Sequence, residues 1–131
     1  MELVEGIDVL AVAKAVLAET GIPVFVRVPA KRPERFIFVD VAGGSRRNLV
    51  TDSALLIVQA WDESVDVKAR SLIAARHCIA LLEASRGRSF EAGTVRAFMN
   101  TSYPAWLPDP DTGIARFQFT GELRVIAGAN R

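Results

Sequence analysis

The first hydrophobic residues of the chain recur with the spacing of an α-helix. They fall on one helical face, three or four positions apart: Val9, Ala13, Val16 and Leu17. Asp8 stands where an N-cap is expected, and Gly21 stands where such a helix would end. The pattern therefore predicts an N-terminal helix between these two residues.

From Pro23 onward the hydrophobic period changes to that of β-strands. The pattern predicts strands at 24–28 and 35–41, the second ended by Gly43-Gly44 and a polar loop. A third strand, 51–61, has apolar residues on both faces: Ala54, Leu56, Val58 and Ala60 on one, and Leu55, Ile57 and Trp61 on the other. A strand of this kind is either central under a helix layer or covered by another chain.

A second, longer helix is predicted after the third strand. Asp62 or Ser64 is positioned to cap it, and it should run to about Ser85 before Gly87. Its expected buried stripe consists of Val65, Ala69, Leu72, Ala75, Ile79 and Leu82.

The rest of the chain predicts two strands around a loop rich in proline and aspartate. The strands are 94–100 and 115–126, and the loop is 103–113. The last strand alternates cleanly between an apolar face and a polar face. The apolar set is Phe117, Phe119, Leu123 and Val125, and the polar set is Arg116, Gln118, Thr120, Glu122 and Arg124.

The element order α-β-β-β-α-β-β predicts an α+β fold with a mixed, mostly antiparallel sheet and two main helices on one face. The links between the first three strands are too short for crossover helices, so we expect an antiparallel meander there. The length of 131 residues suits one domain, 1–131, and no linker divides it.

Composition and charge restrict the function classes without selecting one. Half of the residues are hydrophobic, as in a globular protein, and no apolar run is long enough to span a bilayer. The net charge of +1 provides no general attraction to nucleic acid. A lone cysteine and an N-terminus unlike a secretory signal predict a protein made and kept in the cytoplasm, or in something assembled there.

The chain shows no pattern of catalytic or metal-binding residues. His77 and Cys78 are adjacent on a helix and point in different directions, so helix packing explains them better than a nucleophile–base pair. The stretch from Asp109 to Gly113 begins like a calcium loop, but Gly113 and Thr120 occupy later ligand positions, so a rigid turn is expected. We therefore predict no enzyme activity, no cofactor and no metal.

Three stretches taken together resemble a known family. They are 26–36 (VRVPAKRPERF), 41–52 (VAGGSRRNLVTD), which leads to VQAW at 58–61, and 104–119 (PAWLPDPDTGIARFQF). In this order and spacing they resemble the tail terminator proteins of long-tailed bacteriophages, especially those of actinobacterial hosts. The resemblance extends from the first helix to the last strand.

The resemblance implies a structural virion protein with a mixed sheet flanked by helices and with no catalytic role or cofactor. Proteins of this family form a hexameric ring at the head-proximal end of the tail tube, end its polymerisation and join it to the connector. The implied partners are copies of the chain, the tail tube protein and the connector or stopper protein, with DNA passing through the lumen and no membrane. The implied location is the tail or neck of the virion, assembled in the host cytoplasm.

Ring assembly needs two different complementary surfaces on each subunit. The apolar second and third strands would provide one, and the proline- and aspartate-rich loop another. The candidate interface residues are Trp61, Tyr103, Trp106, Leu107, Pro108 and Asp109. The candidate basic loop or lumen residues are Arg32, Arg35, Arg46, Arg47, Arg116 and Arg124, although a solvated polar sheet face accounts equally well for the last two.

Two alternatives remain open from the sequence. One is another neck or head-completion protein, which would share the location and the assembly. The other is a small cellular α+β domain that dimerises through its sheet and binds a ligand. Neighbouring genes for a tail tube subunit and a tape-measure protein would favour the phage interpretation, and a metabolic operon would contradict it.

Overall fold

The protein has an α+β fold in which two helices cover one face of a mixed, mostly antiparallel sheet. The computed structural model describes residues 8–48, 51–63 and 67–126. The helices are α1 (Val9–Leu17), which continues into a 3₁₀ turn (Ala18–Thr20), and α2 (Val67–Ala84). The strands are β1 (Val24–Phe25), β2 (Arg35–Asn48), β3 (Thr51–Asp62), β4 (Ser89–Phe90), β5 (Gly93–Asn100), β6 (Ala105–Trp106) and β7 (Ala115–Ile126).

The sheet has the strand order β1-β2-β3-β7-β5-β4, with β6 also paired to β7. The last described strand, β7, is therefore central. It pairs with β3 along its whole length on one side, and β5 and β6 share its other side.

The predicted meander of the first three strands is half right. The β2–β3 pair is antiparallel, but β1 pairs with β2 in parallel, with Val24 opposite Ile37. Parallel pairing requires the chain to return to the end of the sheet where β1 begins. Because β1 is only two residues long, residues 26–34 can span this distance without a crossover helix. The strand predicted at 24–28 thus keeps its pairing only at Val24 and Phe25.

The prediction that β2 ends at Gly43-Gly44 is wrong. The strand continues through both glycines to Asn48, and a register shift between Val41 and Gly43 accommodates the change. Extended backbone tolerates glycine, which commonly marks a bulge rather than an end. Arg46 and Arg47 therefore lie in β2, with Arg46 opposite Asp52, and not in a polar loop.

The helix α1 matches its prediction closely. The Asp8 side chain accepts a hydrogen bond of 2.9 Å from the backbone N–H of Ala11, which satisfies one of the unpaired donors at the helix start. Gly21 ends the segment with a φ of 78°, a left-handed conformation that glycine adopts without strain.

The helix α2 is rotated relative to its prediction. Its fully enclosed side is made of small residues and one leucine: Ser71, Ala74, Ala75, Cys78, Leu82. Ala69 is exposed, Leu72 and Ile79 are half-buried, and Val65 lies outside the described residues. Small side chains let the helix approach the sheet closely, so the larger aliphatic residues are displaced to its flank.

The predicted caps of α2 also need correction. Asp62 is the last residue of β3, where its buried carboxylate lies 3.2 Å from the Nε atom of Arg70. Asp62 therefore anchors α2 to the sheet through a side-chain ion pair and is not the residue that starts the helix. The alternative cap, Ser64, lies outside the described residues.

The register of the three long strands separates two sheet faces. The centre of the helix side is apolar and contains Ile37, Val39, Ala54, Leu56, Val58, Ala60, Phe117, Phe119 and Leu123. The predicted alternation of β7 is confirmed, since its odd-numbered residues from 115 to 125 are all buried. The opposite side is called here the outer sheet face, and its central residues are Phe38, Asp40, Leu55, Ile57, Gln59, Gln118, Thr120 and Glu122.

Candidate assembly surfaces

A groove of about 680 Å³ opens on the helix side of the molecule, between α2 and β5. We call it the α2–β5 groove. Its walls are formed by Leu72, Arg76, Ile79, Glu83, Phe98, Met99, Asn100, Tyr103, Pro104 and Phe117. It contains Leu72 and Ile79, two of the α2 residues that the sequence predicts to be buried against the sheet.

The far end of the groove is held by hydrogen bonds around Asn100. The side-chain amide of Asn100 donates hydrogen bonds to the backbone oxygens of Ser102, at 2.8 Å, and Thr120, at 3.0 Å. The hydroxyl of Thr101 lies 2.8 Å from that of Thr120. These contacts fix the turn between β5 and β6, so Tyr103, which is 88% exposed, projects from a fixed backbone.

Trp106 and Leu107 extend the apolar surface beyond the groove. The Trp106 ring packs 5.3 Å from the Phe117 ring, and the Lys68 ammonium group lies 5.2 Å from its centre. Trp106 is still 41% exposed, and Leu107 is exposed beside it. Of the candidate interface residues, Tyr103, Trp106 and Leu107 are therefore the ones that present substantial surface to a partner.

The proline- and aspartate-rich loop is the rigid turn that the sequence predicts. The Asp109 carboxylate accepts hydrogen bonds from the Thr112 backbone N–H, at 3.1 Å, and from its hydroxyl, at 2.6 Å. Gly113 has a φ of 76° and donates its N–H to the Asp109 carbonyl. The Thr112 hydrogen bonds, with Arg116 and Arg32 nearby, hold the pKa of Asp109 below its usual value. Pro108 is half-buried and Asp109 buried at the base of the turn.

Trp61 lies inside the protein, at one end of the outer sheet face. Its ring stacks on Phe36 with centroids 5.1 Å apart, and the guanidinium groups of Arg116 and Arg32 lie 4.9 and 5.5 Å from its centre. Its indole N–H donates to the side-chain oxygen of Gln59 at 3.0 Å. Only 3% of the residue is exposed, so it offers little surface to a partner.

We call Trp61, Phe36, Arg32 and Arg116 the Trp61 cluster. It joins β2, β3, β7 and the segment between β1 and β2. Arg116 on β7 donates from Nε to the Leu107 carbonyl at 2.7 Å and lies 3.9 Å from the Asp109 carboxylate. Arg32 contributes from the segment between β1 and β2. The Trp61 cluster therefore fixes the proline- and aspartate-rich loop against the sheet.

The candidate basic residues do not form one patch. Arg32 and Arg116 meet at Trp61, whereas Arg124 lies toward the other end of β7, where it bonds to Glu122 at 3.2 Å. Arg35, at the start of β2, is half-buried opposite Asp62. The side chains of Arg46 and Arg47 lie outside the described residues.

The outer sheet face combines apolar and amide side chains. Leu55 is 37% exposed, and Phe38 and Ile57 are half-buried. Gln59 and Gln118 hydrogen-bond to each other across β3 and β7 at 2.8 Å. This face is separated from the α2–β5 groove by the sheet itself.

Cys78 is part of the core rather than a functional group. It is fully buried on α2, whereas its neighbour His77 is exposed. Burial raises the pKa of the thiol from 9.0 to about 12, because the thiolate would lose its hydration. The protonated thiol thus stabilises the folded state below pH 9.0, and this contribution to the free energy of unfolding is lost as the pH rises toward about 12.

We expect the thiol of Cys78 to be unreactive in the native protein. At about pH 8, alkylation by iodoacetamide should be more than about a hundredfold slower than in urea-unfolded protein, because little thiolate forms and access is blocked. Mass spectrometry of quenched samples measures the rate. Rapid single alkylation of the native protein would contradict the enclosed position of Cys78.

The remaining observations concern metals, membranes and relatives. Across residues 8–48, 51–63 and 67–126, no group of three or more His, Cys, Asp or Glu side chains is placed to hold a metal ion. No helix in that part of the chain is long and apolar enough to cross a membrane. No family model matches the chain, and no curated protein matches it significantly.

Proposed function

We propose that this protein is a structural ring subunit that ends the tail tube of a long-tailed bacteriophage and joins it to the head connector. The ring is built from six copies of the chain, as in the tail terminator proteins that the sequence resembles. The partners are the tail tube protein on one ring face and the connector or stopper protein on the other, and the location is the virion neck.

One observation carries the proposal: the subunit has two dissimilar exposed surfaces on opposite sides of its sheet. Trp106, which packs on Phe117 beside Lys68 of α2 and is 41% exposed, lies on the helix side, and the outer sheet face, with Leu55, lies on the other. Rings are closed by heterologous contacts between two different patches, whereas a two-fold dimer uses one patch twice. Two dissimilar surfaces therefore favour a ring over a sheet-to-sheet dimer.

The rigid proline- and aspartate-rich loop supports the same function. The Trp61 cluster holds its base, and Asp109 and Gly113 fix its turn. A loop that is already ordered loses little conformational entropy when it docks on a partner. This suits a subunit that must bind the end of a preassembled tube.

Deletion of the gene tests the proposal in the phage. Without the terminator ring, tube polymerisation is expected to continue, so electron micrographs should show tails longer than normal and unattached to heads. Tails of normal length that are still joined to heads would rule out this role. Tails of normal length without heads would instead favour a connector-side neck protein.

A mixing experiment tests whether the two surfaces meet in the ring. We expect Leu55→Lys and Trp106→Lys each to prevent ring formation on purified tail tubes, because each places a charge in one of the two surfaces. Glu91→Lys, in the exposed β4–β5 turn, is the matched control and should still cap tubes. A mixture of the two inactive variants should give only dimers, because the unaltered surface of one variant can still bind the unaltered surface of the other. Chemical cross-linking followed by gel electrophoresis measures this. Capping by either variant alone would contradict this use of the surfaces.

A further inference from the structure

The strand β5 is a sheet edge with an open side. It pairs with β7 on one side, while β4 covers only Gly93 and Thr94 on the other. The loop before β4 then bonds to Val95, whose N–H donates to the Arg88 carbonyl and whose carbonyl accepts from Gly87. Beyond Val95, no described strand covers this side of β5.

The ladder pattern shows which backbone groups point away from β7. Thr101 donates its N–H to the Thr120 carbonyl at 3.0 Å, so Thr101 faces β7. Because alternate residues of an antiparallel strand face the same neighbour, Met99 also faces β7, and Phe98 and Asn100 present their N–H and C=O groups outward. These same two residues line the α2–β5 groove.

The opposite wall of the groove offers two apolar side chains and two opposite charges. Leu72 and Ile79 are half-buried on α2, with Arg76 between them and Glu83 one turn beyond Ile79. Arg76 and Glu83 are about 10 Å apart along the helix axis, and their long side chains can extend this to about 13 Å, the distance between residues four positions apart in an extended chain. Neither side chain forms an ion pair with another described residue.

The direction of the groove follows from its two ends. Lys68, near the start of α2, contacts Trp106, and the end of α2 leads into the loop beside Val95. Arg76 therefore lies toward Asn100 and Tyr103, and Glu83 lies toward the earlier part of β5. An added strand antiparallel to β5 would begin near Arg76 and end near Glu83.

We propose that the α2–β5 groove binds an extended segment of a partner protein, which adds to β5 as an antiparallel strand. The segment has the pattern acidic–x–apolar–x–basic. Its backbone bonds to the outward groups of Phe98 and Asn100, and its alternate side chains face α2. The acidic residue lies at Arg76, the apolar residue lies at Ile79, and the basic residue lies at Glu83. The inference concerns recognition by one surface and holds whether or not the protein forms a ring.

Charge complementarity and the open strand edge select this occupant. A purely apolar surface would accept any hydrophobic contact, but two opposite charges flanking an apolar pocket discriminate both the sequence and the direction of a bound chain. Unpaired N–H and C=O groups on a strand edge are satisfied best by another strand. A second copy of this chain is the competing occupant.

Fluorescence polarisation with designed peptides tests the proposal on the full chain. The probe is labelled Ser-Glu-Thr-Leu-Thr-Lys-Ser, acetylated and amidated, and the control is the charge-reversed Ser-Lys-Thr-Leu-Thr-Glu-Ser. We expect the probe to bind at least about tenfold more tightly than the control. Single N-methylation of successive peptide amides should weaken binding about tenfold at every second position and little in between, because only alternate amides face β5.

Variants of the protein give the reciprocal result. Arg76→Glu combined with Glu83→Lys should reverse the preference between probe and control, whereas Lys14→Glu, on the exposed side of α1, should leave it unchanged. Circular dichroism confirms that each variant is folded. A reversal of preference cannot arise from loss of structure.

Three results would overturn the proposal. The first is no binding of the probe up to about 1 mM, which is the limit of weak specific affinity. The second is binding with no alternation in the N-methylation series. The third is concentration-dependent self-association of the wild type that the probe dissolves, because the groove would then be filled by a second copy of the chain.

Discussion

Replacement of Trp61 by alanine is expected to lower the free energy of unfolding by about 3–5 kcal/mol, the range for a large aromatic residue removed from a core. The indole is 3% exposed, stacks on Phe36 and contacts the guanidinium groups of Arg116 and Arg32. Its removal leaves a cavity and also releases Arg116, which holds the proline- and aspartate-rich loop. Urea denaturation followed by circular dichroism measures the loss.

Trp106→Ala is the matched control for this substitution. The same side chain is removed, but Trp106 is 41% exposed and packs mainly on Phe117, so we expect a loss of about 1 kcal/mol or less. Equal losses for the two variants would contradict the enclosed position of Trp61. Fluorescence provides a second reading, since the emission that remains in Trp106→Ala should be that of a buried indole.

Replacement of Gly121 by alanine is expected to destabilise the protein by about 1–3 kcal/mol through overpacking. Gly121 lies on β7 opposite Leu56, on the core side of the sheet. A Cβ atom at this position would overlap the Phe98 ring, approaching its Cε1 atom to 2.6 Å, and would lie 3.0 Å from the Met99 carbonyl oxygen. Phe98 is only 9% exposed and the oxygen belongs to the backbone, so neither can move away freely. Thermal and urea unfolding both measure the effect.

Two further variants show whether the overlap is the cause. Gly43→Ala adds the same methyl group where no atom lies within 4 Å, and we expect almost no change in stability. Phe98→Leu in the Gly121→Ala background should recover part of the loss, giving a coupling energy between the two positions. Additive effects of the two substitutions would show that Gly121 matters for another reason.

Strong periodicity in the sequence was sufficient to predict the long elements. The alternation of β7 and the capped pattern of α1 specify both the element and its buried face, because each residue has one clear preference. The two-residue strands β4 and β6 have no such pattern, since two residues define no period. The prediction for the end of β2 is wrong because glycine there permits a bulge within the strand and does not end it.

The functional surfaces were only partly predictable, for a different physical reason. The sequence predicts that three apolar residues of the proline-rich loop are exposed: Tyr103, Trp106 and Leu107. It predicts the same for Trp61, which is buried. The α2 wall of the groove was missed because α2 carries apolar residues on more than one side, and the pattern does not say which side meets the sheet. The excess of large residues, Leu72, Ile73 and Ile79 beside the small set around Ala75, was the available signal.

The central place of β7 has a consequence for how the chain folds during synthesis. The β2–β3 hairpin is local in sequence and can form early, but its inner partner β7 is made only after α2 and β5. Until then β3 has an open edge, and α2 has no complete sheet to cover. The nascent chain therefore exposes an unpaired strand edge from the synthesis of β3 until that of β7, and copies made side by side on one messenger are most prone to pair wrongly at this stage.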